Sequence, residues 1–147
     1  EGANGDFGML AKEDVIIDPL CMPIGANHNF GRITYETMRL VRRELGVNMS
    51  VGAGNVGVGL PDRPPLTSAF ILLGMPVGLT AALTNALEPE IYRSILAGDL
   101  MLGRDPFGKR WNQNFRKVTA AKAAAAQAAG APATVAGAVP APTASGR

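Results

Sequence analysis

Three short apolar runs organise the first two thirds of the chain. They cover residues 15–20, 48–54 and 79–83, and each is followed by polar or small residues. Continuous apolar runs of this length are typical of strands that are buried on both faces, as in a parallel sheet. Pro19 has no backbone N–H to donate to a neighbouring strand, so it marks the predicted end of the first run.

Three segments between and after these runs have helical periodicity. They cover residues 33–45, 66–75 and 89–102; Gly46 is placed to end the first, and Pro89 fits the first turn of the third. The alternation of strand and helix predicts parallel βαβ units, in either an open sheet or a barrel. The side chains predicted to form apolar stripes are Met38, Val41 and Leu45 in the first helix, and Leu66, Phe70 and Leu73 in the second.

The composition changes at about residue 119. From there Ala, Gly, Pro and Thr dominate, and Lys122 and Arg147 are the only charged residues. Residues 120–129 could extend a helix, because alanine has the highest helix propensity. Prolines at 132, 140 and 142 prevent its continuation. We therefore predict a domain over residues 1–118 and an Ala/Pro-rich low-complexity tail over 119–147, disordered from residue 130.

Charge and cysteine usage exclude several classes of protein. The net charge is +2, and the basic cluster within residues 104–122 lacks the interleaved aromatics of a nucleic-acid-binding face, so no nucleic-acid partner is expected. With a single cysteine, Cys21, the chain cannot form an internal disulfide, and it cannot bind a metal cluster through several thiolates. No apolar run approaches the ~20 residues of a membrane span, and no signal-peptide pattern is present. We expect a soluble, cytoplasmic protein with no bound metal and no membrane contact.

Each predicted strand ends in a polar residue: Asp18, Asn55 and Asn85. In parallel α/β folds, binding and catalytic groups are placed at these carboxyl ends of strands. Each residue also has an ordinary structural interpretation. Asp18 could accept backbone hydrogen bonds in a turn, Asn55 could occupy a left-handed turn position, and Asn85 could cap a helix.

Two further polar side chains have structural interpretations that we favour over functional ones. His28 lies in the loop after the first strand and is interpreted as an ordinary loop histidine. Cys21 follows the same strand and is interpreted as a small buried hydrophobe rather than a nucleophile.

Several segments together resemble a known enzyme family. Residues 15–20 (VIIDPL) and 52–61 (GAGNVGVGLP) are similar to the sixth- and seventh-strand motifs of methyltetrahydrofolate:corrinoid methyltransferases. Residues 62–70 resemble the arginine-bearing loop and helix that follow, 78–83 (GLTAAL) the eighth strand, and 102–106 (LGRDP) the closing helix end. The resemblance runs from about residue 6 to about residue 111, and it rests on the order and spacing of these motifs.

The resemblance implies a pterin-binding (β/α)₈ TIM barrel related to dihydropteroate synthase, of which this chain holds the last three βα units, strands 6–8. It implies that Asp18 hydrogen-bonds the amino-pyrimidine edge of the pterin and that Asn55, the implied catalytic residue, lies beside N5. Tetrahydrofolate or methyltetrahydrofolate would be the substrate, and a cobalamin-type corrinoid would be carried by a partner protein. The other residues of the implied pterin site are Gly52, Gly54, Arg63 and Asn85.

The sequence departs from the family pattern at several positions. Gly54 replaces a usual serine, and Gly57 and Val58 lie where relatives carry polar or aromatic groups. Thr67 and Thr80 lie where asparagine and aspartate are common. These departures concern contacts with the substrate more than the fold.

The length sets a further expectation, because a complete (β/α)₈ barrel takes roughly 250 residues. We expect a fragment, an incomplete gene product or one piece of an assembly, either a homodimer or a chain complemented by an N-terminal half-barrel. Alone it is predicted to be inactive. Two alternatives are a dihydropteroate synthase-like enzyme, whose lysine and Ser-x-Arg-like motif are absent here, and a truncated, non-catalytic pterin-binding or structural chain.

Overall fold

The computed structural model describes residues 10–130, in which strands and helices alternate along the first part of the chain. A π-helical turn over Val41–Leu45 continues the first helix, and short 3-10 turns cover Lys12–Asp14, Ala53–Gly57, Met75–Val77 and Pro106–Gly108. The predicted alternation is confirmed. The regular elements are β1 Ile16–Ile17, α1 Phe30–Leu40, β2 Asn48–Gly52, α2 Arg63–Gly74, β3 Ala81–Leu83, α3 Pro89–Met101 and α4 Lys109–Ala128.

The three strands form one parallel sheet in the order β1-β2-β3. Ile17 of β1 lies opposite Met49, and Ala82 of β3 lies opposite Val51. Since the strands are parallel, their carboxyl ends lie at one edge of the sheet. This arrangement confirms the predicted α/β class and the parallel sheet.

The two faces of the sheet differ in how much of them is covered. On one face Met49 and Val51 are completely buried and belong to the apolar core, together with Met38 of α1 and Phe70 of α2. Side chains alternate along a strand, so the neighbouring positions point to the opposite face. On that face Ile16 is 66% exposed and Leu83 is 68% exposed. Within the described residues, helices therefore cover one face of the sheet and leave the other open.

All three strands are shorter than the sequence predicts. β1 ends at Ile17 because the next residue, Asp18, begins a turn in which its Oδ1 accepts a hydrogen bond from the Leu20 N–H at 2.8 Å. β2 ends at Gly52, two residues early, because Ala53–Gly57 winds into a 3-10 turn. β3 begins at Ala81 rather than at residue 79.

The first helix begins three residues earlier than predicted, at Phe30, and the π-helical turn that continues it ends at Leu45, the predicted helix end. Met38 and Val41 are buried and Leu45 is partly buried, which confirms the predicted apolar stripe. Gly46 adopts a left-handed conformation with φ 64°, and its N–H donates to the Val41 carbonyl at 3.0 Å. The prediction that Gly46 ends this helix is confirmed.

The second helix begins at Arg63, and one residue of its predicted stripe is placed wrongly. Phe70 is buried, but Leu73 is 59% exposed. The buried side of α2 instead includes Thr67 and Ile71, since the helix packs against α3 and the turn after β2 as well as the sheet. The apolar pattern alone could not show that a threonine would be buried in place of a leucine.

The described residues divide into two compact units, and the second begins at Lys109. Its described part is α4, in which no residue is buried. The helix runs through the alanine-rich segment to Ala128, as predicted for most of residues 120–129. The tail predicted to be disordered lies, from residue 131, outside the described residues. The domain division after residue 118 stays a prediction.

None of the helices described here combines the length and the apolar character that crossing a bilayer requires.

Candidate functional site

Asp18 follows β1 directly and is exposed. One carboxylate oxygen, Oδ1, accepts the Leu20 N–H, so the residue makes the backbone-bonded turn that its sequence context suggests. Leu20 takes up a left-handed backbone with φ 62° to complete this turn. No described donor bonds Oδ2, so this oxygen keeps its capacity to accept hydrogen bonds.

Asn55 lies in the 3-10 turn that follows β2 and is also exposed. Its backbone carbonyl accepts a hydrogen bond from the Val58 N–H at 3.1 Å, while its side-chain amide lies over Gly52. A β-carbon at Gly52 would stand 3.1 Å from Asn55 Nδ2. The left-handed interpretation of Asn55 is wrong, because a helical turn continues through this position. The amide of Asn55 forms no hydrogen bond with any described residue.

Two contacts join the loop after β1 to the turn after β2. The Cys21 thiol lies 3.9 Å from the Ala53 carbonyl oxygen, and the Ile24 N–H donates to the Val56 carbonyl at 3.1 Å. These contacts hold the Asp18 turn beside the turn that carries Asn55.

Cys21 is a buried packing residue, as predicted. It is 5% exposed, and burial raises the pKa of its thiol to about 11, with a further rise from the negative charge of Asp18. A protonated, buried thiol is a poor nucleophile.

Arg63 is the first residue of α2 and reaches back over the same turn. Its Nη2 donates to the Gly54 carbonyl oxygen, and its aliphatic stem packs against Gly57. A β-carbon at Gly57 would lie 3.1 Å from Arg63 Cγ. The absence of a side chain at Gly57 therefore makes room for the arginine, which is held at the carboxyl end of β2.

A cleft of about 320 Å³ opens between the carboxyl ends of β2 and β3. This volume is at the lower end of the range for small-molecule sites. The cleft brings together three of the predicted residues: Gly54, Arg63 and Asn85. Asp18 and Asn55 do not line it and lie on the adjoining loops.

The cleft also includes polar residues that were not predicted as site residues. Thr67, Thr84 and Glu88 contribute to its wall. Glu88 gives the cleft a carboxylate in addition to the guanidinium of Arg63. The only sequence signal for Thr84 and Glu88 is their position shortly after the third strand, which many structural residues share.

Asn85 forms a turn before α3 rather than the helix cap. Its Oδ1 accepts a hydrogen bond from the Leu87 N–H at 3.1 Å, and its backbone carbonyl accepts one from the Glu88 N–H at 3.1 Å. The residue that precedes the first helical position is Glu88, in an extended conformation. The capping interpretation is therefore wrong, and the Asn85 amide N–H₂ stays available at the cleft.

His28 lies in an exposed loop, where its Nε2 is 3.1 Å from Asn29 Nδ2. It does not line the cleft. Within residues 10–130, no group of three or more His, Cys, Asp or Glu side chains could hold a metal ion.

Comparison with known proteins finds a similarity to an enzyme of known activity. No family model matches the chain. The methylcorrinoid:tetrahydrofolate methyltransferase of Eubacterium limosum is 27% identical to it over 109 residues. The similarity is to a methyl-transferring enzyme. The matched segment covers 74% of this chain but only 40% of the relative, so the chain spans less than half of that protein's length.

Proposed function

We propose that this chain forms the C-terminal part of a pterin-binding barrel that transfers a methyl group between a methylated tetrahydrofolate and a corrinoid protein. The observation that carries the proposal is the parallel sheet whose carboxyl edge bears Asp18, Asn55 and Arg63. The activity named for the Eubacterium limosum relative supports the same assignment.

The free hydrogen-bonding groups of the site suit a flat, nitrogen-rich ring. Asp18 Oδ2 is an acceptor without a partner among the described residues, and it could receive an N–H of the amino-pyrimidine edge. Gly54 lacks a side chain where the ring would approach the backbone, and the absence of a side chain at Gly52 leaves room for the Asn55 amide beside the ring. Arg63 is held by the Gly54 carbonyl, and its guanidinium can pair with a carboxylate or stack on a ring.

Asn55 is the proposed catalytic residue. Departure of the methyl group from N5 is easier if a proton reaches that nitrogen as the bond breaks. An amide offers both a donor and an acceptor, so it can follow the change of protonation without becoming charged. The exposed Asn55 amide has this freedom because it makes no hydrogen bond with described residues.

The corrinoid would belong to a partner protein, whose cobalt would supply the methyl-carrying centre. The contribution of this chain would be to bind and orient the pterin through Asp18, Asn55 and Arg63. We place the partner over the carboxyl edge of the sheet, where the free amide of Asn55 lies.

The proposed site requires a further polypeptide segment that completes the barrel. The open face of the sheet exposes Ile16 and Leu83, and the matched relative extends well beyond the segment shared with this chain. Both observations support an N-terminal half-barrel that covers this face and adds the remaining pterin contacts. A dihydropteroate synthase-like enzyme remains the alternative within the same fold, and a non-catalytic pterin-binding or structural chain the alternative outside catalysis.

Pterin binding tests the proposal. The full chain would be mixed with the part of the Eubacterium limosum relative outside the match, and methyltetrahydrofolate would be titrated by calorimetry. Asp18→Asn preserves the turn, since an amide oxygen can still accept the Leu20 N–H, but it removes the charge and adds donors. We expect at least roughly tenfold weaker binding, as for loss of a charged hydrogen bond.

The matched control is Asp14→Asn, the same change at an exposed position before β1. It should bind methyltetrahydrofolate as the unaltered chain does. The absence of saturable binding in the complemented sample, or equal affinities for the two variants, would contradict the proposal and favour a structural chain.

A further inference from the structure

A second polar cleft, of about 280 Å³, lies at the opposite end of the sheet. Part of its wall is formed by Gly78, Leu79 and Thr80, which directly precede β3. The cleft is therefore at the amino ends of the strands, whereas the candidate pterin site is at their carboxyl ends. Nothing in the proposed methyl transfer uses this cleft.

Two arginines from different parts of the chain converge on this cleft. Arg42 comes from the π-helical turn after α1, and Arg104 from the segment after α3. No carboxylate is among the residues that line the cleft. Two positive charges face a space of small-molecule size without a negative charge in its wall.

Both guanidiniums retain most of their hydrogen-bonding capacity. Among the described residues, Arg42 has neither a hydrogen bond nor an ion pair. Arg104 makes two long contacts: Nη1 lies 4.0 Å from Asp99 Oδ1, and Nη2 donates to the Met75 carbonyl at 3.5 Å. These distances are at the outer limits for an ion pair and a hydrogen bond, so both arginines can accept a better partner.

The backbone around the cleft is built to hold Arg42 in place. Gly78 has φ 114°, a backbone conformation that residues with a side chain rarely adopt. A β-carbon there would lie 3.0 Å from Arg42 Cβ and 2.8 Å from Met49 Cε. The absence of a side chain at Gly78 thus lets the stem of Arg42 pack against the loop and directs this residue to the cleft.

The other side of the cleft is equally constrained. The Arg104 N–H donates to the Asp99 carbonyl at 2.8 Å, which fixes the backbone after α3. The Thr80 hydroxyl donates to the Met49 carbonyl at 2.8 Å and accepts from the Met49 N–H at 2.9 Å. Thr80 is therefore a fixed wall of the cleft, and the arginines are the groups free to bind a ligand.

We propose that Arg42 and Arg104 form a binding site for a compact phosphate-type anion at the amino end of the sheet. The planar guanidinium binds phosphate oxygens through two parallel hydrogen bonds, and two such groups match the charge of a dianion. The ligand class is inorganic phosphate or the phosphate group of a small phosphate monoester. This site is independent of the proposed pterin function.

Titration of the full ¹⁵N-labelled chain with inorganic phosphate at constant ionic strength tests the proposal. Saturable shifts are expected at the amides of Gly78 and Thr80. Arg42→Gln should weaken phosphate binding roughly tenfold or more, as expected for loss of a charged hydrogen bond. A parallel titration with glycerol phosphate separates free phosphate from a phosphate monoester as the preferred ligand, and tighter binding of either supports the site.

Arg39→Gln is the matched control. Arg39 lies on α1, close to Arg42 in the chain, and pairs with Glu36 at 2.9 Å outside the cleft. The control removes the same charge and should leave phosphate affinity within about twofold of the unaltered chain, since its charge acts only through solvent. Arg104→Lys provides a second test that preserves the charge but removes the planar fork, and should also weaken binding. Equal losses in the Arg39 and Arg42 variants, or no saturable shift with either phosphate ligand, would overturn the proposal.

Discussion

The side-chain amide of Asn55 lies over the backbone of Gly52, so that a β-carbon added at Gly52 would stand 3.1 Å from Asn55 Nδ2. This distance is shorter than ordinary van der Waals contact. The position of the proposed catalytic amide therefore depends on the absence of a side chain at the end of β2.

Gly52→Ala should displace the Asn55 amide with little loss of fold stability. Asn55 is exposed and can move, so we expect the free energy of unfolding to change by less than about 1 kcal/mol. The side-chain amide signals of Asn55 should shift in the NMR spectrum, and the complemented chain should bind methyltetrahydrofolate more weakly. Gly31→Ala is the control, since its β-carbon would meet only Ile24 Cγ2 at 3.6 Å. Equal pterin affinities for the two variants would show that this contact does not position the site.

Gly78→Ala should destabilise the fold more than Gly46→Ala. Both glycines have positive φ, and a left-handed conformation costs a residue with a β-carbon about 1–2 kcal/mol. At Gly46 the added carbon meets nothing within 4 Å, whereas at Gly78 it meets Met49 Cε at 2.8 Å. Overpacking adds about 1–3 kcal/mol at Gly78, which urea unfolding of both variants would measure. A Gly46 variant that is as unstable as the Gly78 variant would contradict this reasoning.

Ser68→Ala should leave stability unchanged or raise it by up to about 1 kcal/mol. Ser68 lies within α2, and its hydroxyl is buried without a hydrogen-bond partner among the described residues. Alanine removes the unsatisfied group and has a higher helix propensity. Thr34→Val is the comparison, because the Thr34 hydroxyl is hydrogen-bonded. It donates to the Leu20 carbonyl at 2.9 Å and to the Phe30 carbonyl at 3.0 Å. Thermal unfolding should show a loss of about 1 kcal/mol for Thr34→Val; a larger loss for Ser68→Ala would indicate an unrecognised partner.

Stability should fall as the pH rises above 9. Burial raises the pKa of Cys21 from 9.0 to about 11 and that of Tyr35 from 10.0 to about 12. In this range the unfolded chain releases these protons before the folded chain does, so a rising pH favours unfolding. The contribution of Cys21 is complete below pH 9 and is lost by about pH 11; that of Tyr35 is lost between about pH 10 and pH 12.

Urea unfolding at intervals from pH 8 to pH 11 would measure this dependence. Cys21→Ala should flatten the decline between pH 9 and pH 10, below the range in which Tyr35 contributes, whatever its effect at pH 8. The difference in slope between the variant and the unaltered chain in this window reports the titrating thiol. If the slopes of the variant and the unaltered chain coincide, the thiol does not titrate differently in the folded state.

The sequence predicts the order of elements because apolar runs and helical periodicity are local signals. Gly46 is predicted correctly since its left-handed conformation is a local requirement of the helix end. Strand ends are predicted poorly. The end of β1 depends on a side-chain hydrogen bond of Asp18, and the end of β2 on a 3-10 turn that lets the backbone leave the sheet.

Features that depend on packing between distant elements could not be predicted. The exposure of Leu73 and the burial of Thr67 follow from how α2 packs against several neighbours. The strand-end rule predicts Asn85 at the carboxyl edge of the sheet, whereas Arg63 is implied only by the family resemblance; the two residues line one cleft. Glu88 was not predicted, since a glutamate next to a helix start is common whether or not a site lies nearby.

Transfer of a labelled methyl group between methyltetrahydrofolate and a corrinoid protein tests the central claim most directly. The assay would compare this chain alone, the chain complemented by the unmatched part of the Eubacterium limosum relative, and the complemented Asn55→Ala variant. We predict no transfer by the chain alone, transfer by the complemented chain, and a rate roughly a hundredfold lower for the variant, as for loss of a group that assists proton transfer. Transfer by the complemented variant at the unaltered rate, or no transfer by the complemented chain although it binds methyltetrahydrofolate, would contradict the account.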